Sequence, residues 1–313
     1  MKFLEQSFDR QNQFWKYLVV FLAAFIGGQI LGGIPLLGVM IYKSIASGGH
    51  IALNPDNFMD FTVFGISKNW GLFLLMIPFA AILFLSIVLI RLLHKRSFTQ
   101  TVNGTRKIRI KRCLVGAAVW GILLVIDLMS SYLLHPENYR LQFNLSAFIP
   151  LLFVSVIMVS IQSTAEEFLF RGYLTQGVAG WTKSRWLAIL IPGILFGLMH
   201  GINPEVKEFG FWIAMPEYVF WGLLFGLIVV LDDGIELAIG MHVANNVFSS
   251  LFITHKASAL QTDAVFEMTN PTMSVKDVIG FVIIGMIALA FFAWKYKWNF
   301  KILNHKITNT WEE

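Results

Sequence analysis

Three groups of polar side chains interrupt apolar stretches of this chain, and their types and spacing suit the hydrolysis of an amide. The first is Ala165-Glu166-Glu167-Phe168-Leu169-Phe170-Arg171-Gly172, which continues a largely apolar run. On a helix Glu167 and Arg171 stand four residues apart and can pair on one face, while Glu166 points about 100° away. The arginine can thus hold one carboxylate while the other faces a cavity. The second group, Phe196-Gly197-Leu198-Met199-His200, ends an apolar segment on an imidazole. Such a group titrates near neutrality and suits proton transfer or water activation beside a carboxylate. The third, His242-Val243-Ala244-Asn245-Asn246, places His242 and Asn246 on one helical face as neutral hydrogen-bond donors, the chemistry that stabilises an oxyanion. Asn245 lies at a different angle and is the weaker candidate. Each group also has a plainer reading: a solvated helix-end pair, a histidine satisfied by a backbone carbonyl, and polar glue between helices. Together they supply a base, a histidine to share the water and donors for developing charge, with no serine or cysteine nucleophile required.

The elements that must position these residues are membrane helices. The residues are 56% hydrophobic and 14% charged, whereas a soluble domain carries roughly 25% charged residues. The apolar residues fall in runs near 17–42, 71–93, 113–134, 147–179, 187–202, 216–231, 235–254 and 277–296, and about 20 such residues are needed to span a bilayer. The pattern predicts an all-α polytopic bundle of about eight transmembrane helices. The fifth and sixth are expected to be short, tilted or broken at Pro192 and Pro216, so a seven-span arrangement with one of them re-entrant stays open. An ionisable side chain inside such a bundle costs at least about 2.5 kcal/mol and normally faces a partner or a cavity, which is why the three groups stand out.

Charge orients the bundle. With the N-terminus inside, 18 of the 24 Lys and Arg fall on the cytoplasmic side, many in HKRSFTQTVNGTRKIRIKRC, which predicts both termini cytoplasmic, and the compactness of the chain leads to the expectation of a bacterial inner membrane. The formal charge of +5 comes with no recognition motif, so no nucleic-acid partner is expected. The only cysteine is Cys113, which excludes an intrachain disulfide and a cysteine-rich zinc site. Segments 44–70 and 254–276 read as the longest external loops. Gly28 and Gly32 read as a small-residue pair for close helix packing. Asp232, Asp233 and Glu236 read as a solvated cytoplasmic turn, Asp127 as an interior hydrogen-bonded residue, and Arg91 as a snorkelling helix-end residue.

In order and spacing, EEFLFR, FGLMH and HVANN resemble the motifs Glu-Glu-x-x-x-Arg, Phe-x-x-x-His and His-x-x-x-Asn of the CAAX-protease and bacteriocin-processing enzyme family. These proteins are also called Abi or type II CAAX prenyl endopeptidase-like proteins. The resemblance covers about 147–253, a four-helix core, between an N-terminal part of three spans (1–146) and a last loop, span and tail (254–313). It implies a glutamate-dependent intramembrane peptidase in which Glu166 acts with His200 on the attacking water. It further implies an oxyanion hole from His242 and Asn246, and a site shaped by Glu167, Arg171 and Phe196. It implies no cofactor beyond the catalytic water, and the absence of an H-E-x-x-H arrangement argues against a catalytic metal. The expected substrate is a membrane-associated or prenylated-type peptide cut near the cytoplasmic membrane face. Two readings of other classes remain: a non-catalytic membrane chaperone or partner-binding protein of the same fold, and a transporter whose buried acids relay protons.

Overall fold

The computed structural model describes residues 2–8, 12–48, 60–105 and 107–308. It is a helical bundle whose long helices follow the apolar runs: α1 (Phe14–Ala46), α2 (Lys68–His94), α3 (Ile110–Leu134), α4 (Leu145–Thr182), α5 (Arg185–Met199), α6 (Phe211–Asp232), α7 (Glu236–Phe252) and α8 (Val275–Tyr296). All but α5 and α7 are long and apolar enough to cross a membrane. The sixth helix is therefore not the short one: it runs unbroken through Pro216 for 22 residues, and the 17-residue α7 is short instead. α7 packs on α3, α4 and α6 within the bundle, so it need not match the lipid thickness by itself.

The surface carries the apolar side chains and the interior holds many of the polar ones. Leu22, Ile26, Ile30 and Ile34 of α1 are exposed, whereas Ser86, Gln162, Ser163, Glu167 and Arg171 are buried. That inversion fits a chain whose outside solvent is hydrocarbon. α1 lies directly on α2, because a Cβ on Gly28 would come within 2.8 Å of the Ile82 backbone and one on Gly32 within 2.3 Å of Pro78 Cα. The glycine pair does the internal packing expected of it.

Short connections tie the helix ends into two layers. In one layer Lys16 Nζ donates to the Leu93 carbonyl (3.0 Å), Ile235 N–H to Val102, and Ile307 N–H to Lys183. Phe3 N–H donates to Asp233 (3.2 Å). This end holds the 94–112 loop and both described chain ends, and is called the basic end below. At the opposite end β1 (Tyr139–Leu141), β2 (Ile253–Thr254) and β3 (Phe266–Met268) form a small sheet in the order β1-β3-β2, with β1–β3 antiparallel and β2–β3 parallel. The segment expected as an external loop at 254–276 is thus partly ordered as strand. The 44–70 loop lies partly outside the described residues.

Two expectations about acidic residues are corrected. Asp232 and Glu236 are not solvated: they are 5% and 1% exposed. Arg109 reaches Glu236 (2.5 Å) and Asp232 (3.3 Å), and Arg112 reaches Asp232 (2.7 Å). Carboxylates flanked by two guanidinium groups can be taken out of water where isolated ones cannot. Burial is the largest single influence on the Arg109 guanidinium and lowers it, but its acidic partners, Glu236 first, together outweigh that and hold it above its ordinary range. Asp127, expected inside, is exposed on α3. Arg91 is exposed in the last turn of α2, as a snorkelling residue would be.

Candidate active site

α4 is not a uniform α-helix. Its turns widen to a π-type pattern over Ser155–Val159 and again over Glu167–Leu174. Such wide turns recur at functional sites because they re-aim side chains without ending the helix. The second stretch begins between the two glutamates, so Glu166 closes a regular turn and Glu167 opens a wide one. Glu167 turns inward and is completely buried, where its Oε1 accepts from Arg171 Nη1 (3.0 Å) and lies 2.8 Å from His242 Nδ1. Arg171 is itself fully buried. Its guanidinium carbon stands 3.7 Å from the centroid of the Phe196 ring, a cation–π contact that shields one face of the charge.

Glu166 stands on the other side of the same imidazole. Its Oε2 is 3.6 Å from His242 Nε2, just outside direct hydrogen-bond length. His242 therefore lies between two carboxylates, hydrogen-bonded to Glu167 through Nδ1 and facing Glu166 with Nε2. His200 is oriented by its own helix: Nδ1 lies 2.8 Å from the Phe196 carbonyl. A carbonyl can only accept, so Nδ1 carries the hydrogen and a neutral His200 presents Nε2 as an acceptor. The ring lies stacked on Tyr218 with centroids 4.7 Å apart. Phe196 thus serves two of the sequence groups, with its ring over Arg171 and its carbonyl on His200.

Asn246 is fixed by a chain of amides that starts at an indole. Trp120 Nε1 donates to Asn245 Oδ1 (3.2 Å), Asn245 Nδ2 donates to Asn246 Oδ1 (3.0 Å), and Asn246 Nδ2 donates to Gln162 Oε1 (3.0 Å) and Ser163 Oγ (3.3 Å). An indole N–H has no acceptor, so it decides which way Asn245 faces and, through it, Asn246. The Asn246 amide hydrogens point toward the Gln162 side of α4. Trp120, Asn245, Gln162 and Ser163 were missed or underrated in the sequence reading. Asn245 stood there as the weaker candidate, and Gln162 left a signal as a polar residue one turn before Glu166 within an apolar run.

Glu166, His200, His242 and Asn246 all line one cavity of about 560 Å³, together with Phe196, while Glu167 and Arg171 stand behind its wall. That volume falls within the range of small-molecule and peptide-side-chain sites. The wall contains the carboxylates of Glu166, Glu205, Glu217 and Asp277 and the imidazoles of His200, His242 and His255, with no Lys or Arg among the described residues. Burial in the mouth pushes the Glu205 carboxyl up, against the Ala259 N–H that favours its charged form, and pushes the His255 imidazole down. The cavity reaches from Glu166 and His242 to Ile253, Met268, Thr272 and Asp277. It runs toward the end opposite the basic loop, not toward it as expected. Among the described residues no group of three or more His, Cys, Asp or Glu could hold a metal ion.

The sequence model described as "Type II CAAX prenyl endopeptidase Rce1-like" matches residues 145–248, which include α4, α5, α6 and most of α7 and hence every residue of the three groups. The uncharacterized protein YyaK of Bacillus subtilis (strain 168) is 30% identical over 251 residues, covering 80% of this chain and 81% of its own length. No solved structure matches the chain. With that similarity extending well beyond the matched core, the chain belongs to the type II CAAX prenyl endopeptidase Rce1-like family.

Proposed function

We propose that the protein is an intramembrane endopeptidase in which Glu166 and His200 activate a water against a peptide bond. The observation that carries this reading is the convergence of Glu166, His200, His242 and Asn246, from three parts of the chain, on one cavity. Glu166 is the general base. The attacking water gives one hydrogen to Glu166 and orients the other toward His200 Nε2, which the Phe196 carbonyl keeps as an acceptor. As the hydroxyl adds to the carbonyl carbon, negative charge grows on the substrate oxygen. His242 Nε2, when protonated, and Asn246 Nδ2 are the donors for it. Asn246 has to turn its donors away from Gln162 and Ser163 to do so. The proton taken by Glu166 then passes to the leaving amine, which restores the carboxylate. Glu167 and Arg171 position His242 through the 2.8 Å contact to Nδ1.

The chemistry uses no metal and no cofactor beyond the water. The acid-lined wall suits a neutral or basic peptide segment and disfavours an acidic one, since like charges in a low-dielectric site repel strongly. The test is turnover of purified protein in lipid vesicles. Glu166→Gln keeps the shape of the side chain and removes the base, so cleavage falls by about 10²–10⁴-fold, while insertion and thermal unfolding stay as in the parent. Retained turnover in that variant ends the assignment.

A further inference from the structure

The cavity is sealed toward the basic end and open toward the other. At the basic end the exposed Phe98 ring caps the buried Phe168, the two stacked with ring centroids 5.0 Å apart. A Cβ on Gly172 would lie 3.2 Å from the Thr101 carbonyl and 3.3 Å from Ile235. Arg171 and Tyr173 are fully buried in the same layer. No described residue of the basic-end connections 95–109, 183–184 or 233–235 lines the cavity. Toward the other end the wall continues along two helices, from His242 to Ile253 just past α7 and from Phe225 back to Ala214 on α6. At 1.5 Å per residue each path is roughly 16 Å long. It finishes among Asn203, Glu205, His255, Ser258 and Thr272, which belong to the opposite connections.

The two ends differ in charge as well as in packing. By sequence, 18 of the 24 Lys and Arg fall in the segments assigned to the basic side and six in those assigned to the other. Loops rich in Lys and Arg stay on the cytoplasmic side, so the sealed end is cytoplasmic and the open end is not.

We infer that this chamber is loaded from the extracytoplasmic side, and that its substrate is a polypeptide segment displayed on the outer face of the membrane, not a cytosolic chain terminus. The substrate part of the inference rests on the peptidase reading above, while the sidedness does not. A path of roughly 16 Å accommodates about five residues of extended chain at 3.3 Å each. The segment is accordingly a free end or a flexible stretch able to reach that deep.

Sidedness is read by thiol labelling of the full chain in cells, independent of catalysis. Cys113→Ala removes the single native thiol. Ser249→Cys then places a thiol on the cavity wall one turn from Asn246, Thr272→Cys places one at the rim, and Lys301→Cys serves as the marker of the basic end. A membrane-impermeant sulfonated maleimide added to intact cells is expected to label the Ser249→Cys and Thr272→Cys proteins and not the Lys301→Cys protein, and inverted vesicles to give the reverse. Labelling of Ser249→Cys from the inner side, from both sides alike or from neither overturns the inference. The substrate is read by comparing new protein termini in cells carrying the parent or Glu166→Gln. Termini that depend on Glu166 are expected in outward-facing segments, and their occurrence in cytosolic segments overturns the substrate assignment. If no terminus depends on Glu166, the peptidase reading fails and the substrate assignment with it, while the labelling still decides the side from which the chamber opens.

Discussion

Two clusters of buried charge sit only a few turns apart and are built to different rules. At the basic end Asp232 and Glu236 are bracketed by Arg109 and Arg112, with further donors from Asn103 and from Trp298 at 3.2 Å from Asp232. Around the cavity, Glu167 is shared between Arg171 and His242, but among the described residues Glu166 has only the imidazole at 3.6 Å. The first cluster neutralises its acids at hydrogen-bond length and closes a layer of the fold. The second completes one carboxylate and leaves the other short of a full partner, beside a cavity. Compensation of that kind marks structure, and its deliberate incompleteness marks chemistry.

The comparison can be broken most sharply at Glu166. Glu166→Gln is expected to remove about 2.7–5.4 kcal/mol of transition-state stabilisation, the equivalent of a 10²–10⁴-fold fall in kcat. Its melting temperature in detergent should hold, whereas a large drop would place Glu166 with the structural cluster. Arg171→Met leaves Glu167 buried without its cation and should destabilise the protein by about 3–5 kcal/mol, read by thermal unfolding. Pairing it with Glu167→Gln should recover part of that loss but not activity, because His242 then lacks the carboxylate that positions it. Asn246→Ala should lower kcat by about 10²–10³-fold with KM little changed, the signature of a donor used only in the transition state. An equal rise in KM would instead make Asn246 a ground-state contact. Glu236→Gln, at the basic end, should cost about 1.5–3 kcal/mol of stability through its charged hydrogen bonds, with kcat per folded molecule unchanged. A selective loss of kcat there would dissolve the distinction between the two clusters.

Much of this arrangement was legible in the chain. The positions of the long helices follow from runs of apolar residues, because a helix buried in lipid must satisfy its backbone internally and present hydrocarbon outward. The Glu167–Arg171 pair follows from a spacing of four. The close approach of α1 and α2 follows from Gly28 and Gly32. Other features were not legible, each for a reason that lies in packing. The solvated turn expected at Asp232–Glu236 is buried because the loop 95–109, distant in sequence, folds back over it with Arg109. Gln162 and Trp120 join the site only because α3, α4 and α7 meet there. The wide turn that opens at Glu167 coincides with the buried contacts of Arg171 to Glu167 and Phe196, and no local propensity predicts it.

What the sequence determined by itself is the medium, the approximate helix boundaries and the identity of the polar residues that must find partners inside it. These are local matters of hydropathy, helical period and the cost of a charge in hydrocarbon. The tertiary structure alone decided how the partners are shared: which glutamate is completed and which is left facing the cavity, which way the Asn246 amide points, and which end of the bundle is plugged. Those outcomes depend on contacts between residues far apart in the chain, such as Glu167 with His242 and Phe98 with Phe168, and only the folded bundle brings them together.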